Sequence, residues 1–151
     1  MYSIDTSALL DGWIRNYPPD VFGSVWSGLK GLGNGGTLVA SDEVIEELAK
    51  KQDEVWKWAK AELTLHAMDA EIQRVVAEIL AVHPRLVDER KNRSKCDPFV
   101  IALAKMKGFT VVTAEKASGS LQKPRIPDVC LALKIKCINL LDLFREQGWR
   151  I

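Results

Sequence analysis

The sequence predicts an α/β fold, a three-layer α/β/α sandwich whose central sheet is mainly parallel. Short apolar runs alternate along the 151 residues with longer stretches of helical periodicity. Strands that are separated by helices pair in parallel, and the helices then cover both faces of the sheet. Such strands must be apolar on both faces, as Leu38-Val39, Val111-Val112 and Ile138 are.

Length and composition indicate one globular domain that spans residues 1–151. Hydrophobic residues make up 47% and charged residues 27% of the chain, which suits a buried core without disulfides or a structural metal. The formal net charge of +1 excludes a basic field over the whole molecule, so contacts with nucleic acid depend on local patches. The three cysteines form no Cys-x-x-Cys pair, and we recognise neither a signal peptide nor a membrane-length apolar run. These features predict a cytoplasmic chain with reduced thiols.

The N-terminal part predicts a short strand followed by two helices. Residues 1–5 form the strand, and residues 7–14 form the first helix. Pro18-Pro19 interrupts the chain, and Asp20 is predicted to cap a second helix over residues 21–32.

Three glycines, Gly31, Gly33 and Gly36, follow that helix with the spacing of a dinucleotide-binding motif. That motif needs a strand before the glycines and a helix after them, because the helix N-terminus binds the pyrophosphate. Here a helix precedes the glycines and a strand over residues 37–41 follows them. We therefore predict a plain helix-to-strand connection.

The middle of the chain is predicted to be helical. Ser41 or Asp42 caps a helix, and apolar spacing from about residue 53 to residue 82 predicts two more helices. After a polar stretch, Asp97-Pro98 predicts a helix start with Asp97 as the cap. The remaining predicted elements are a strand over 110–114 that leads to Glu115, a loop over 118–125, a helix over 126–133, a strand over 137–139 and a closing helix over 140–146.

Four acidic residues lie at or near the ends of the predicted strands or in the helices beside them: Asp5, Glu47, Asp97 and Glu115. In an open parallel sheet these positions converge on one edge, where ligands bind. Four carboxylates gathered there would repel one another unless a hard divalent cation neutralised them. The pattern therefore predicts a metal site.

Two of these acids also have a purely structural explanation. Asp5 and Asp97 each stand at the start of a predicted helix, where capping accounts for an aspartate without any function. A phosphoaspartate enzyme would generally carry a second acid at position 7, which is serine here. Asp5 thus stays a candidate metal ligand, with Thr6 and Ser7 as hydroxyls that orient it.

Basic residues flank the same predicted edge and are candidate contacts for phosphates. A charge run of this kind also fits a solvated loop, and both explanations stay open. The residues are Arg90, Lys91, Arg93, Lys95, Lys116, Lys123 and Arg125.

Taken together, the acids and their strands resemble the PIN domain family of metal-dependent ribonucleases, over nearly the whole chain. The resemblance depends on four short motifs that are each weak alone but occur in the right order. The first two are Asp5-Thr-Ser-Ala-Leu-Leu, which matches the opening strand and first acid, and Val44-Ile-Glu-Glu-Leu48, which resembles the segment with the second acid. The third is Asp97-Pro-Phe-Val-Ile-Ala-Leu-Ala, which matches the helix D-x-x-I-A-x-A of the family. The fourth is Thr110-Val-Val-Thr113-Ala-Glu115, which matches a strand that leads to Thr-x-acid.

The resemblance implies an endoribonuclease that uses Mg²⁺ or Mn²⁺. It further implies RNA as the substrate, a toxin of a bacterial toxin–antitoxin pair similar to VapC-type toxins, an antitoxin protein as a partner, and a homodimer. The implied catalytic and metal-binding residues are Asp5, Glu47, Asp97 and Glu115, supported by Thr6, Ser7 and Thr113.

Alternatives remain at several points. The family more often has aspartate where Glu115 stands, Glu46 competes with Glu47, and Asp128 is a further candidate acid. Two other functions stay open, a catalytically inactive PIN-like module that binds RNA or protein, and a metal-dependent phosphohydrolase of small molecules.

Overall fold

The computed structural model describes residues 1–51, 53–87 and 96–151. At its centre lies a five-stranded sheet in the order β3-β2-β1-β4-β5, in which every pair of neighbours is parallel. Helices pack around this sheet, so the predicted three-layer α/β/α class is confirmed.

The strands are β1 Tyr2–Ile4, β2 Leu38–Ser41, β3 Thr64–His66, β4 Thr110–Val112 and β5 Cys137–Ile138. The helices are α1 Thr6–Asp11, α2 Gly23–Asn34, α3 Asp42–Ala49, α4 Glu54–Glu62, α5 Ala70–Val82, α6 Asp97–Lys107, α7 Ile126–Ala132 and α8 Leu140–Glu146.

Strand β1 is the middle strand, and it positions the functional edge. The chain moves from β1 outward through β2 to β3, then returns to the other side of β1 with β4 and β5. The strand order therefore reverses between β1 and β4, which is where open α/β sheets form a ligand-binding crevice. Helix α6 lies across β1, and the Ser3 hydroxyl donates to the Val100 carbonyl at 3.0 Å.

The core consists of the apolar strand residues and the helix faces that cover them. Ile4, Leu38, Val111 and Val112 are each 0% exposed, as expected for strands covered on both faces. Helix α6 buries the run Val100–Ala104 almost completely. This packing holds the start of α6 against the carboxyl end of β1.

The glycine-rich segment is the helix-to-strand connection that the sequence predicts. Gly33, in the last turn of α2, lies so close to the end of α4 that a Cβ atom there would be 2.2 Å from the Glu62 carbonyl oxygen. Gly36 has a φ of +76°, which glycine adopts most readily. Both positions thus have a backbone reason for glycine that involves no ligand.

Strand β3 is an element that the sequence prediction missed. Residues 53–82 were expected to hold two helices, but Thr64–His66 separates α4 from α5 and pairs with β2. The strand is three residues long and lies at the sheet edge, with Thr64 and Leu65 exposed. An exposed edge strand this short carries no apolar pattern to detect.

Several predicted boundaries were also wrong. Helix α2 begins at Gly23 after Phe22, so the exposed Asp20 does not cap it. Helix α6 begins at Asp97 itself, with Cys96 in the capping position. Strand β4 ends at Val112, which leaves Glu115 in the following loop.

A π-helical turn over Gly12–Asn16 continues α1, and a 3-10 turn over Pro84–Leu86 follows α5. In the described part of the chain, no helix combines the length and the apolar character needed to cross a bilayer.

Candidate metal centre

A buried cluster of three potential metal ligands lies where β1 ends and α6 begins. One ligand atom from each of Asp5, Cys96 and Asp97 lies within 4.8 Å of the others. The three residues are 1%, 2% and 3% exposed. The parallel sheet brings Asp5 and Asp97 together, because the end of β1 and the start of α6 meet at the same edge.

Asp5 is held from two sides by hydroxyl groups. Its Oδ2 accepts hydrogen bonds from Ser7 Oγ and, at 2.9 Å, from Thr113 Oγ1. The Ser7 amide also donates to Oδ2 at 3.3 Å, so Asp5 does cap α1. The capping and ligand explanations are therefore compatible, since one carboxylate has two oxygens.

The pKa of Asp5 is raised to about 6, first of all because the carboxyl is buried. Hydrogen bonds from Ser7 and Thr113 lower this pKa, while the charges of Glu115 and Glu47 raise it further. Both glutamates thus lie within electrostatic range of Asp5. A divalent cation among these groups would favour their charged forms.

The structure distinguishes the two adjacent glutamates of α3. Glu47 Oε2 accepts from Cys96 Sγ at 2.7 Å and from Thr6 Oγ1 at 3.2 Å. Glu46, one position earlier in the helix, is exposed. The buried residues Val44 and Leu48 set the phase of α3, which turns Glu47 towards the cluster.

Glu115 lies beside the cluster, in the loop after β4. Its amide donates to Thr113 Oγ1 at 3.1 Å, and its Oε2 accepts from the amide of Ile126 at 3.1 Å. Ile126 is the first residue of α7, so Glu115 joins the candidate metal centre to the start of that helix.

Asp128 has a different environment. Its carboxylate accepts from the amides of Arg125, Ser118 and Gly119 at 2.8, 2.9 and 3.0 Å, and from the Ser118 hydroxyl at 2.9 Å. Burial raises the pKa of Asp128, but these hydrogen bonds outweigh it and the pKa is lowered overall. Asp128 thus anchors the loop between β4 and α7 and lies outside the three-residue cluster.

The predicted basic contacts fall into three groups. Lys116 and Arg125 line a groove together with Ser7 and Glu115. Lys123 is exposed in the loop and does not line this groove. Arg90, Lys91, Arg93 and Lys95 lie outside the described residues.

Cys96 is a member of the cluster that the sequence prediction missed. The cysteines were interpreted only as buried thiols, and Cys96 is indeed buried. The signal in the sequence that could have placed Cys96 in the cluster is its position directly before Asp97. The Cys96 thiol also lies 4.0 Å from Asp5 Oδ1 and 3.4 Å from Thr6 Oγ1.

The donor set fits a small divalent cation. Carboxylate oxygens such as those of Asp5 and Asp97 suit Mg²⁺ and Mn²⁺. A sulfur donor such as Cys96 favours a transition metal over Mg²⁺. The carboxylates alone thus suit either ion, and a ligand role for the Cys96 sulfur would favour Mn²⁺ over Mg²⁺.

Comparisons with known proteins place the chain in a family and in a fold. The family model described as "Domain of unknown function (DUF4411)" matches residues 2–151. The crystal structure of FitAcB from Neisseria gonorrhoeae is similar, with a TM-score of 0.56 and 14% identity over 93% of this chain and 99% of that chain. No curated protein matches the sequence. At this identity the likeness shows the fold alone, a PIN-like three-layer sandwich.

Proposed function

Because the chain belongs to the DUF4411 family and has a PIN-like fold, we propose that it is a metal-dependent endoribonuclease that cleaves RNA phosphodiester bonds. The observation that carries the proposal is the buried cluster of Asp5, Cys96 and Asp97 at the edge where the strand order reverses. Buried carboxylates so close together are costly unless a cation or protons offset their charge.

We assign Asp5, Glu47, Asp97 and Glu115 as the residues that would hold Mg²⁺ or Mn²⁺. When bound, such an ion supplies a Lewis acid that lowers the pKa of a water and offsets charge on the phosphodiester. The carboxylates would hold the ion at one place on the sheet edge, beside a groove that is open to a substrate.

Three hydroxyls act as positioning groups in this proposal. Ser7 and Thr113 both donate to Oδ2 of Asp5 and so fix the plane of its carboxylate. Thr6 donates to Glu47 and contacts Cys96, which links α1 with α3 and the start of α6. Partners of this kind orient the residues that bind a metal directly.

The test is RNA cleavage with Mn²⁺ by the wild type and by Asp97→Asn, on pooled cellular RNAs. We expect Asp97→Asn to lose activity by about a hundredfold or more, because a ligand is lost. Equal cleavage by both proteins would contradict the proposal, as would no cleavage by the wild type over a broad range of conditions.

Adjacent residues of α3 provide a matched pair for the same assay. Glu47→Gln should lose most of the activity, whereas Glu46→Gln should retain it, because Glu46 is exposed and Glu47 contacts Cys96. The reverse order of effects would remove Glu47 from the site.

A second candidate function is a PIN-like module that binds RNA or protein without catalysis. The observation in its favour is that the Oε2 atom of Glu115 already accepts the Ile126 amide, so this glutamate has a structural role. Calorimetric titration with Mn²⁺ separates the two functions. Binding that is lost in Asp5→Asn supports the nuclease, and no acid-dependent binding supports the module.

The family resemblance also leads us to propose a toxin–antitoxin role, an antitoxin partner and a homodimer. Expression of the active chain in a bacterium should slow growth, and Asp97→Asn should not. Light scattering of the purified chain tests the dimer, and a monomer at high concentration would exclude it.

A further inference from the structure

A groove of about 570 Å³ opens directly beside the candidate metal centre. Ser7 and Glu115 are among the residues that line it, and Ser7 also donates to Asp5. The volume lies within the range of about 300–1,000 Å³ that is usual for ligand pockets. The groove is therefore large enough for a ligand and shares Ser7 and Glu115 with the surroundings of Asp5.

One wall of the groove is a single face of α1 and its π-helical continuation. Ser7, Leu10 and Ile14 follow one another at spacings of three and four residues, and all three line the groove. The opposite face, with Leu9 and Gly12, is buried. Ile14 is 60% exposed, so the wall offers apolar surface to a ligand.

The rest of the rim is basic. Arg15, Lys51, Lys116 and Arg125 line the groove, against the acidic residues Asp11 and Glu115. Arg15 is paired with Asp11 at 3.4 Å. Lys51, Lys116 and Arg125 are exposed, and none forms an ion pair with a residue that the structure describes.

We propose that this groove binds one arm of a single-stranded RNA that runs through the metal centre. The cations of the rim, with Lys51 and Arg15 as new members, hold backbone phosphates, and Leu10 and Ile14 contact the face of a base. Basic grooves that follow the backbone bind single strands, and an unstacked base also packs against apolar side chains. Base faces in a duplex are stacked and unavailable, so the apolar wall favours a single strand.

The inference rests on the proposed function, because the groove is assigned to RNA through its opening onto the candidate metal centre. An acidic protein segment is the competing occupant for a basic rim. The apolar wall contacts bases in the RNA case, which makes the two occupants distinguishable.

The rim is tested by the salt dependence of binding. A fluorescent single-stranded RNA oligonucleotide is titrated with Asp97→Asn protein, which keeps the RNA intact, and the anisotropy is followed at several salt concentrations. Each phosphate contact contributes about 0.7 to the slope of log affinity against log salt. Lys51→Ala and Lys116→Ala should each reduce the slope by about that amount.

Lys105→Ala and Lys107→Ala are the matched controls for the rim. Both lysines are exposed at the end of α6 and neither lines the groove. They should leave the slope unchanged. Equal slopes for the groove variants and the controls would overturn the proposal.

The apolar wall is tested with Ile14→Ser, which changes no charge. Affinity for the oligonucleotide should fall roughly threefold to tenfold through lost apolar contact, with the salt slope unchanged. An oligonucleotide with abasic sites should bind wild type and Ile14→Ser equally. An equal loss with both oligonucleotides, or no loss with either, would overturn the base contact.

Two further outcomes separate this inference from the proposed function. Groove-dependent binding by a wild type that never cleaves RNA would support the groove and contradict the nuclease. Cleavage that is insensitive to Lys51→Ala, Lys116→Ala and Ile14→Ser would support the nuclease and overturn the groove.

A poly-glutamate peptide tests the competing occupant of the groove. If the peptide binds more tightly than the oligonucleotide, and this binding is lost in the same lysine variants, the groove belongs to a protein segment and the RNA proposal is overturned.

Discussion

Asp5 and Asp128 are both buried aspartates near the carboxyl edge of the sheet, yet their pKa values are shifted in opposite directions. Asp5 is 1% exposed, and its burial and the charges of Glu115 and Glu47 raise its pKa to about 6. Asp128 is 8% exposed, and burial is outweighed by hydrogen bonds from three backbone amides and one hydroxyl, which lower its pKa.

The opposite shifts show how far the neighbours of each carboxylate stabilise its negative charge. The amides around Asp128 belong to the protein, and their hydrogen bonds stabilise its charged form. The neighbours of Asp5 include other acids, and its hydroxyl partners offset the burial only in part. Asp128 therefore stabilises a loop by itself, whereas the region of Asp5 gains most from an added cation.

The largest expected effect concerns activity in the two regions. Asp5→Asn should abolish Mn²⁺ binding and reduce RNA cleavage by about a hundredfold or more, because a ligand is lost. The same change at Asp128 should leave Mn²⁺ affinity within a few-fold of wild type. Calorimetry and a cleavage assay measure both, and a similar loss of Mn²⁺ affinity in the two variants would remove the distinction.

The second effect is the pH dependence of stability in metal-free protein. The folded chain binds the Asp5 proton up to about pH 6, whereas the unfolded chain releases it near the ordinary value of 3.8. The stabilisation is therefore complete below about pH 4 and lost as the pH rises through 6. It corresponds to roughly 3 kcal/mol, since each pKa unit is worth 1.36 kcal/mol.

Urea unfolding between pH 4 and 7 measures this dependence. The loss of stability over that range should be smaller in Asp5→Asn, and Mn²⁺ at pH 7 should stabilise the wild type but not the variant. If the free energy of unfolding falls equally with pH in the two proteins, the raised pKa does not belong to Asp5.

The third effect is the contribution of Asp128 to stability, whose pH dependence is opposite in sign to that of Asp5. Asp128→Ala should lower the free energy of unfolding by about 1–3 kcal/mol at pH 7, because several buried donors lose their acceptor. Its lowered pKa means that the contribution is present above about pH 4 and is lost as the pH falls. The difference in stability between wild type and Asp128→Ala should thus shrink in acid, and a constant difference would contradict this explanation.

The smallest effect is at Glu115, which connects the two regions. Glu115→Gln removes a charge that raises the pKa of Asp5 but keeps an acceptor for the Ile126 amide. It should lower the Asp5 pKa, measured by carboxyl NMR, without a loss of stability. Glu115→Asp keeps the charge and is too short for the amide, so it should cost about 0.5–1.5 kcal/mol. Identical behaviour of the two variants would exclude this dual role.

The parts of the fold that were predicted correctly are those with a local cause. Leu38-Val39 and Val111-Val112 are apolar on both faces, and the Asp97-Pro98 pair favours a helix start by its local sequence. The edge strand Thr64–His66 was missed because its pairing with β2 depends on the rest of the sheet. A short polar segment becomes a strand only when a neighbour offers free backbone groups.

Local patterns in the amino-acid sequence were enough to predict the α/β class, the main strands along the chain and the convergence of Asp5 with Asp97, because periodicity and the rules of parallel sheets act on such patterns. The order of the strands in the sheet, the contact of Glu47 rather than Glu46 with Cys96, the place of Cys96 beside the acids and the anchoring role of Asp128 became visible only in the folded chain. Those outcomes depend on the helix phase that packing sets and on contacts between residues far apart in the chain. The physical reason is that a carboxylate's role is determined by its neighbours in space, which no short stretch of sequence contains.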